Sequence, residues 1–155
     1  MANSVTDQLQ ELLTARQIPF QVLQHAPVFT SEEAAAIRGT SLASGAKALI
    51  CRADGRFVMF VLPADRRLAS KQVRRTAAIG SLRFATREEV LELTGLTPGS
   101  IPPFGSLFGL PTYCDQGLSA NEQINFNAGD HGISICVRYS DYAAVENPEM
   151  GSFAE

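Results

Sequence analysis

GAKALICRADGRFVMFVLP, residues 45–63, decides the fold. Two apolar runs rich in β-formers meet through Ala53-Asp54-Gly55-Arg56. Asp-Gly is the preferred pair for a two-residue type I′ hairpin turn, because both central residues need positive φ. Such a turn fixes the register: Arg52 faces Phe57, Ile50 faces Met59 and Lys47 faces Leu62. With a side-chain period of two, Lys47 falls on the same face as Leu49, Cys51, Val58 and Phe60. That is an unusual address for an ammonium group, which resists desolvation and loses basicity when buried. Lys47 therefore either snorkels to solvent from the strand end or stands at the edge of an apolar pocket. In the second case it offers a cation to an anionic or carbonyl-bearing ligand.

Outward from the hairpin, the chain alternates helical and strand patterns. Val5, Leu9, Leu12 and Leu13 recur at helical spacing after Ser4, and this helix should stop before Pro19. Phe20 and Val22 alternate with polar neighbours as a short strand. Thr30-Ser31-Glu32-Glu33 reads as a capping box opening an alanine-rich helix, which Gly39 ends. Beyond the hairpin, a basic helical segment surrounds Lys71, and a short strand lies near Leu82 to Phe84. Thr86-Arg87-Glu88-Glu89 is a second capping box, whose helix runs through Leu93 and ends at Gly95. Strands around 123–127 and 133–138 close on Gly129-Asp130-His131-Gly132, and Ser140 is placed to cap a short last helix. Alternation with two hairpins predicts a mixed α/β fold, not a purely parallel doubly wound sheet. No repeat or linker interrupts the 155 residues, so one domain is expected over 1–155.

Hydrophobic residues make up 45% and charged residues 19%, the balance of a soluble globular protein. No apolar run approaches the roughly 20 residues of a membrane span. MANSVTDQLQELL lacks the basic-then-apolar order of a signal peptide, so a cytoplasmic location is expected. Cys51, Cys114 and Cys136 form no CxxC pair, and His25 and His131 lack ligand spacing to them. Reduced thiols are expected, with Cys51 and Cys136 in the core, and neither a metal site nor a cofactor. The net charge of −3 does not advertise nucleic-acid binding. Yet RRLASKQVRR puts Arg66, Arg67, Lys71, Arg74 and Arg75 in one ten-residue window. It reads either as a solvated helix or as a face that steers a phosphate backbone.

Two more segments can carry chemistry. TPGSIPPFG, residues 97–105, is stiff, and it either connects elements or presents fixed backbone groups to polarise a carbonyl or grip a water. FNAGDHG, residues 126–132, is either a plain hairpin turn or a polar wall. In the latter, His131 bonds a substrate amine or carbonyl, or acts as a base. No GxSxG, HExxH, Walker loop or GxGxxG accompanies them, so covalent serine or cysteine catalysis has little support. The apolar group Phe104, Leu107, Phe108 and Leu110 is expected to form core and pocket wall.

Taken in order, these pieces resemble the YbaK/ProX family, relatives of the editing insertion of bacterial prolyl-tRNA synthetase. Lys47 in GAKALI matches the lysine of that family's early strand, and Gly99 to Pro103 fits its G-x-x-x-P loop, continued by Phe104-Gly105. Asn127-Ala128-Gly129-Asp130-His131 resembles its late strand-turn motif, and His25-Ala26-Pro27 with Thr30 and Glu33 resembles the segment before the lysine strand. The resemblance implies a barrel-like mixed sheet surrounded by helices. It also implies hydrolysis of the ester joining a mischarged amino acid to the terminal adenosine of tRNA, with water attack assisted by a substrate hydroxyl. Lys47, Gly99 and Pro103 would be the catalytic set. His25, Thr30, Ser100, Ile101, Pro102, Phe104, Gly105, Asn127, Gly129 and His131 would bind substrate, and Arg66, Arg67, Lys71, Arg74 and Arg75 would meet the acceptor stem. The implied partner is aminoacyl-tRNA, with a synthetase as a further candidate. The implied cargo is a small amino acid such as alanine, on proline tRNA among others, with cysteine, serine and threonine also open, since Ala48 stands where some alanine-removing members carry asparagine. A non-catalytic tRNA- or synthetase-binding module and a hydrolase of another small acyl ester remain the competing readings.

Overall fold

The computed structural model describes residues 4–155. The hairpin is its centre. β2 (Ala46–Ala53) and β3 (Arg56–Pro63), which follow a short β1 (Gln21–Gln24), pair antiparallel in the register that the Asp-Gly turn requires. Arg52 faces Phe57, Ile50 faces Met59 and Lys47 faces Leu62. Asp54 and Gly55 take φ of 48° and 85°, the left-handed pair of that turn.

Around this hairpin stands a five-stranded sheet in the order β4-β2-β3-β5-β8. β4 (Leu82–Phe84) is antiparallel to β2, whereas β5 (Thr112–Asp115) and β8 (Glu149–Gly151) join in parallel. β5 and β8 carry no hydrophobic alternation long enough to announce them. A second, three-stranded sheet has the order β1-β7-β6, in which β6 (Gln123–Asn127) and β7 (Ile133–Arg138) form the expected late hairpin. The barrel-like sheet is thus realised as two open sheets, tied among the described residues by a parallel bridge between Gly45 and Asn125.

Three of the helices sit where their caps predict. α1 (Val5–Ala15) is capped by Ser4 and buries Leu9 and Leu13. α2 (Ser31–Arg38) is capped by the Thr30 hydroxyl and stopped by Gly39 at φ 71°. α3 (Ser70–Thr76) carries the basic segment. α4 (Arg87–Thr94) begins with the full Thr86/Glu89 capping box and ends at Gly95. α5 (Tyr139–Glu146) starts one residue before Ser140, with no side-chain cap. It is held by packing, since Tyr142 is fully buried and its hydroxyl donates to the Pro103 carbonyl at 2.8 Å.

The main core lies between the two sheets, with Leu9, Met59, Phe104, Phe126 and Tyr142 among its members. A smaller core on the other face of the large sheet gathers Cys51, Phe60, Leu62, Val73 and Phe153. Cys51 and Cys114 are buried, but Cys136 is only partly covered, because β7 turns that side chain away from the core. Phe104 and Leu110 are core, and Leu107 and Phe108 pack against it. No helix of the described residues is long and apolar enough to cross a membrane.

One irregularity positions the site. β3 covers β2 along its whole length, but on the other edge β4 pairs only with Cys51 to Ala53. At the far end β6 is bridged to the chain at Gly45, just before β2, and forms no ladder with the strand among the described residues. Between these two contacts the edge of β2 is uncovered.

Candidate active site

The uncovered edge opens on a cavity of about 290 Å³. Its floor is β2 from Ala46 to Ile50, and α2 supplies one wall through Ala34, Ala35 and Arg38. Pro98, Gly99 and Ile101 face β2 from the proline loop, and Phe126 and Asn127 close the β6 side. Phe29 and Phe84 stand at the rim, 70% and 59% exposed, so two aromatic faces flank the mouth without being packed. Most of the lining is small or apolar, suited to a short side chain.

Lys47 lies in this cavity, half-buried, with no hydrogen bond or ion pair among the described residues. Burial lowers its pKa; Glu32 acts the other way, Arg67 adds to the lowering and Asp65 opposes it. The second cation was not legible in the sequence. Arg38, in the last turn of α2, reads there only as a residue that suits a helix C-terminus. In the structure its Nε donates to Ser134 Oγ at 2.8 Å, and its Nη2 donates to Asn127 Oδ1 at 2.9 Å. No carboxylate pairs with it, and burial lowers its pKa as well. The only ion pair among the described residues is Arg83–Glu89, elsewhere on the surface.

Arg38 works through Asn127. Asn127 Nδ2 donates to the Gly99 carbonyl at 2.7 Å, and the Gly129 N–H bonds the Ser100 carbonyl at 2.8 Å. Gly99 has φ of +92°, which a side chain would strain. Its carbonyl is thereby pinned away, while the N–H groups of Gly99 and Ile101 have no partner among the described residues. Ser134 extends the brace to His25, whose Nε2 lies 2.8 Å from its hydroxyl and whose Nδ1 donates to the Ala26 carbonyl.

His131 is also a brace. Its Nδ1 meets the Val28 carbonyl at 3.0 Å, an acceptor only, so that nitrogen carries the proton. Its Nε2 takes the Thr97 hydroxyl at 3.0 Å, and its ring lies 4.8 Å from that of Phe29. With both nitrogens engaged, His131 ties the proline loop to the segment before α2 and has no lone pair free for a base.

The sequence-derived residues thus separate into four groups. Lys47, Thr30, Gly99, Ile101 and Asn127 line the cavity together. His25, Gly129 and His131 stand behind its wall, Gly129 against Val5 of α1. Ser100, Pro102, Pro103, Phe104 and Gly105 are in the interior, where the loop turns under β6 to pack on α5. Phe104 packs edge-on against Phe126 and Tyr142, and the Gly105 N–H donates to Thr112 Oγ1. Alternating apolar and glycine positions could not show which half of the loop faced in. Arg66, Arg67, Lys71, Arg74 and Arg75 are all exposed, and Arg67 is close enough to act on Lys47 electrostatically.

A small mixed α/β fold whose short, largely apolar cavity holds two cations without a paired carboxylate, and whose lining has no serine or cysteine bonded to a base (the Ser134–His25 pair lies behind the wall), is built to hold an acyl group near an anion. Chemistry there must use water, with charge stabilisation from cations and backbone donors. Residues 25–145 match the aminoacyl-tRNA editing domain, and the chain belongs to that family. It is 37% identical to the multifunctional Ser/Thr-tRNA deacylase ProXp-y of Escherichia coli, over 97% of this chain and 93% of that protein. The proline–tRNA ligase of Bacillus licheniformis is 35% identical over 67% of this chain, which corresponds to 19% of the ligase. The crystal structure of a candidate trans-editing enzyme for prolyl tRNA synthetase superposes with a TM-score of 0.87 at 25% identity, covering 100% of this chain and 99% of that one.

Proposed function

We propose that this protein hydrolyses the ester of mischarged aminoacyl-tRNA carrying a small amino acid. The observation that carries the reading is that Lys47 and Arg38, two cations without carboxylate partners, line the same small and largely apolar cavity. An activated ester needs less catalytic help than an amide, so positioning and electrostatics suffice. Lys47 holds the substrate, the Gly99–Ile101 segment faces the acyl group, and the Arg66-to-Arg75 strip follows the acceptor stem. Phe29 and Phe84 offer stacking faces to the terminal base. Serine and threonine are the favoured side chains, in line with the similar E. coli deacylase.

The test is deacylation of alanyl-, seryl-, threonyl- and cysteinyl-tRNA by the wild type and Lys47→Ala. Hydrolysis of one or two species, lost in the variant, is the expected outcome. Equal rates in the two proteins would remove Lys47 from the mechanism, and no hydrolysis above buffer would leave a binding module.

A further inference from the structure

The uncovered edge of β2 has a direction that its register fixes. The Met59 N–H donates to the Pro111 carbonyl, on the β5 side, so Met59 and its partner Ile50 turn their backbone groups away from each other. Consistently, the Ile50 carbonyl accepts from the Ala85 N–H on the opposite side. Backbone direction alternates along a strand, so Ala48 and Ala46 point the same way as Ile50, while Lys47 and Leu49 point at β3. Ala46 is engaged at its end: the Gly45 N–H and C=O are already taken by Leu42 and Ala64, so the bridge to Asn125 runs through Ser44 and Ala46. Ala48 is left between two occupied rungs. Neither its N–H nor its C=O has a partner among the described residues, and both face the cavity.

A single vacant rung offers one donor and one acceptor on the same residue. An aminoacyl ester offers the complement, one α-ammonium and one carbonyl on the same residue. We propose that the aminoacyl group docks on Ala48 as a one-residue antiparallel β pair. The Ala48 carbonyl accepts from the α-ammonium, and the Ala48 N–H donates to the ester carbonyl oxygen. Paired residues across a sheet share a face, so the substrate side chain lies beside the small side chains of Ala46 and Ala48. In the reaction the water oxygen bonds the acyl carbon, and the carbonyl electron pair moves onto oxygen, where the Ala48 N–H meets the charge. The bond to the ribose oxygen then breaks, and that oxygen leaves with a proton from the water.

The inference rests on the deacylase reading, and the experiment keeps the two separable. Position 48 is built with the α-hydroxy acid analogue of alanine, which deletes this N–H and keeps the side chain; the same replacement at Cys51, which faces β3 outside the cavity, controls for a lost ladder bond. Loss of one such donor should lower kcat by about 100-fold at position 48, against little change at position 51 when both proteins melt alike. In parallel, N-acetylating the amino acid on the tRNA, which removes the ammonium, should slow the wild type by about tenfold or more. A non-hydrolysable 3′-aminoacylamino-3′-deoxyadenosine is titrated into labelled wild type, and the Ala48 amide resonance should shift downfield. Equal rates for the two replacements with N-acetyl substrate hydrolysed normally would overturn the pairing while leaving the deacylase intact. Should the wild type hydrolyse nothing, an unmoved Ala48 resonance would overturn the pairing too, and a shifted one would support it as a binding mode.

Discussion

Residues 97–110 form one glycine- and proline-rich stretch with two unlike halves. From Pro102 onward several of its polar groups are paired with side chains from β5 and α5. The Pro103 carbonyl accepts from Tyr142, the Gly105 N–H donates to Thr112, and Thr112 and Ser106 donate in turn to Glu146. From Pro98 to Ile101 the chain lines the cavity, and the N–H groups of Gly99 and Ile101 have no partner among the described residues. A buried polar group left without a partner is costly, so the satisfied half acts as a foundation. The open half is the working edge, and the Arg38–Asn127 brace holds it in place.

The largest effect should come at the working edge from Lys47→Ala, a fall in deacylation of about 100-fold or more, with the thermal midpoint little changed. The pH profile sharpens this. Burial holds the Lys47 pKa below its ordinary 10.5, so the cation and the rate that depends on it should fade as pH rises through that lowered value. Stability moves the other way: the folded chain holds this proton less tightly than the unfolded one, so Lys47 contributes a gain as pH rises through its folded pKa. Melting curves of wild type and Lys47→Ala between pH 8 and 10.5 would read that difference.

Next comes the brace. Arg38→Lys keeps the charge but cannot span Ser134 and Asn127 as a planar fork. A drop in kcat of about 10- to 100-fold, with KM nearly constant, is expected from the misplaced loop. Wild-type kinetics in Arg38→Lys would break the claim that geometry, not charge alone, is what Arg38 supplies.

On the foundation side the pattern should invert. Thr112→Val strips the Gly105 N–H and Glu146 of a partner and should cost about 1–3 kcal/mol in urea unfolding, with kcat intact. If kcat falls instead, the two halves are not separable. The smallest effect belongs to the basic strip. Lys71→Ala with Arg74→Ala should raise KM a few-fold and flatten the log–log salt dependence by about 1–2.

The hairpin, its register and the odd position of Lys47 were legible because an Asp-Gly turn and a period of two leave no freedom. The caps at Ser4, Thr30 and Thr86 were legible for the same local reason. β5 and β8 were not, since short parallel strands owe their place to β3 and not to their own pattern. Arg38 was hidden because a helix-end arginine is unremarkable until Asn127 and Ser134, about ninety residues on, are folded against it. The proline loop was legible as stiff, yet which half faced the cavity depended on Tyr142 and Glu146 from the far end of the chain.

An exposed strand edge normally invites other chains to pair and aggregate. Here the bare edge of β2 is sunk between α2, the proline loop and the β4–α4 corner, and only one rung is vacant. A neighbouring strand, which needs several consecutive rungs and a flat approach, finds no purchase. The recess works as a sieve for shape: it shuns polypeptides that would stick to the sheet while staying open to a lone residue on a narrow stalk.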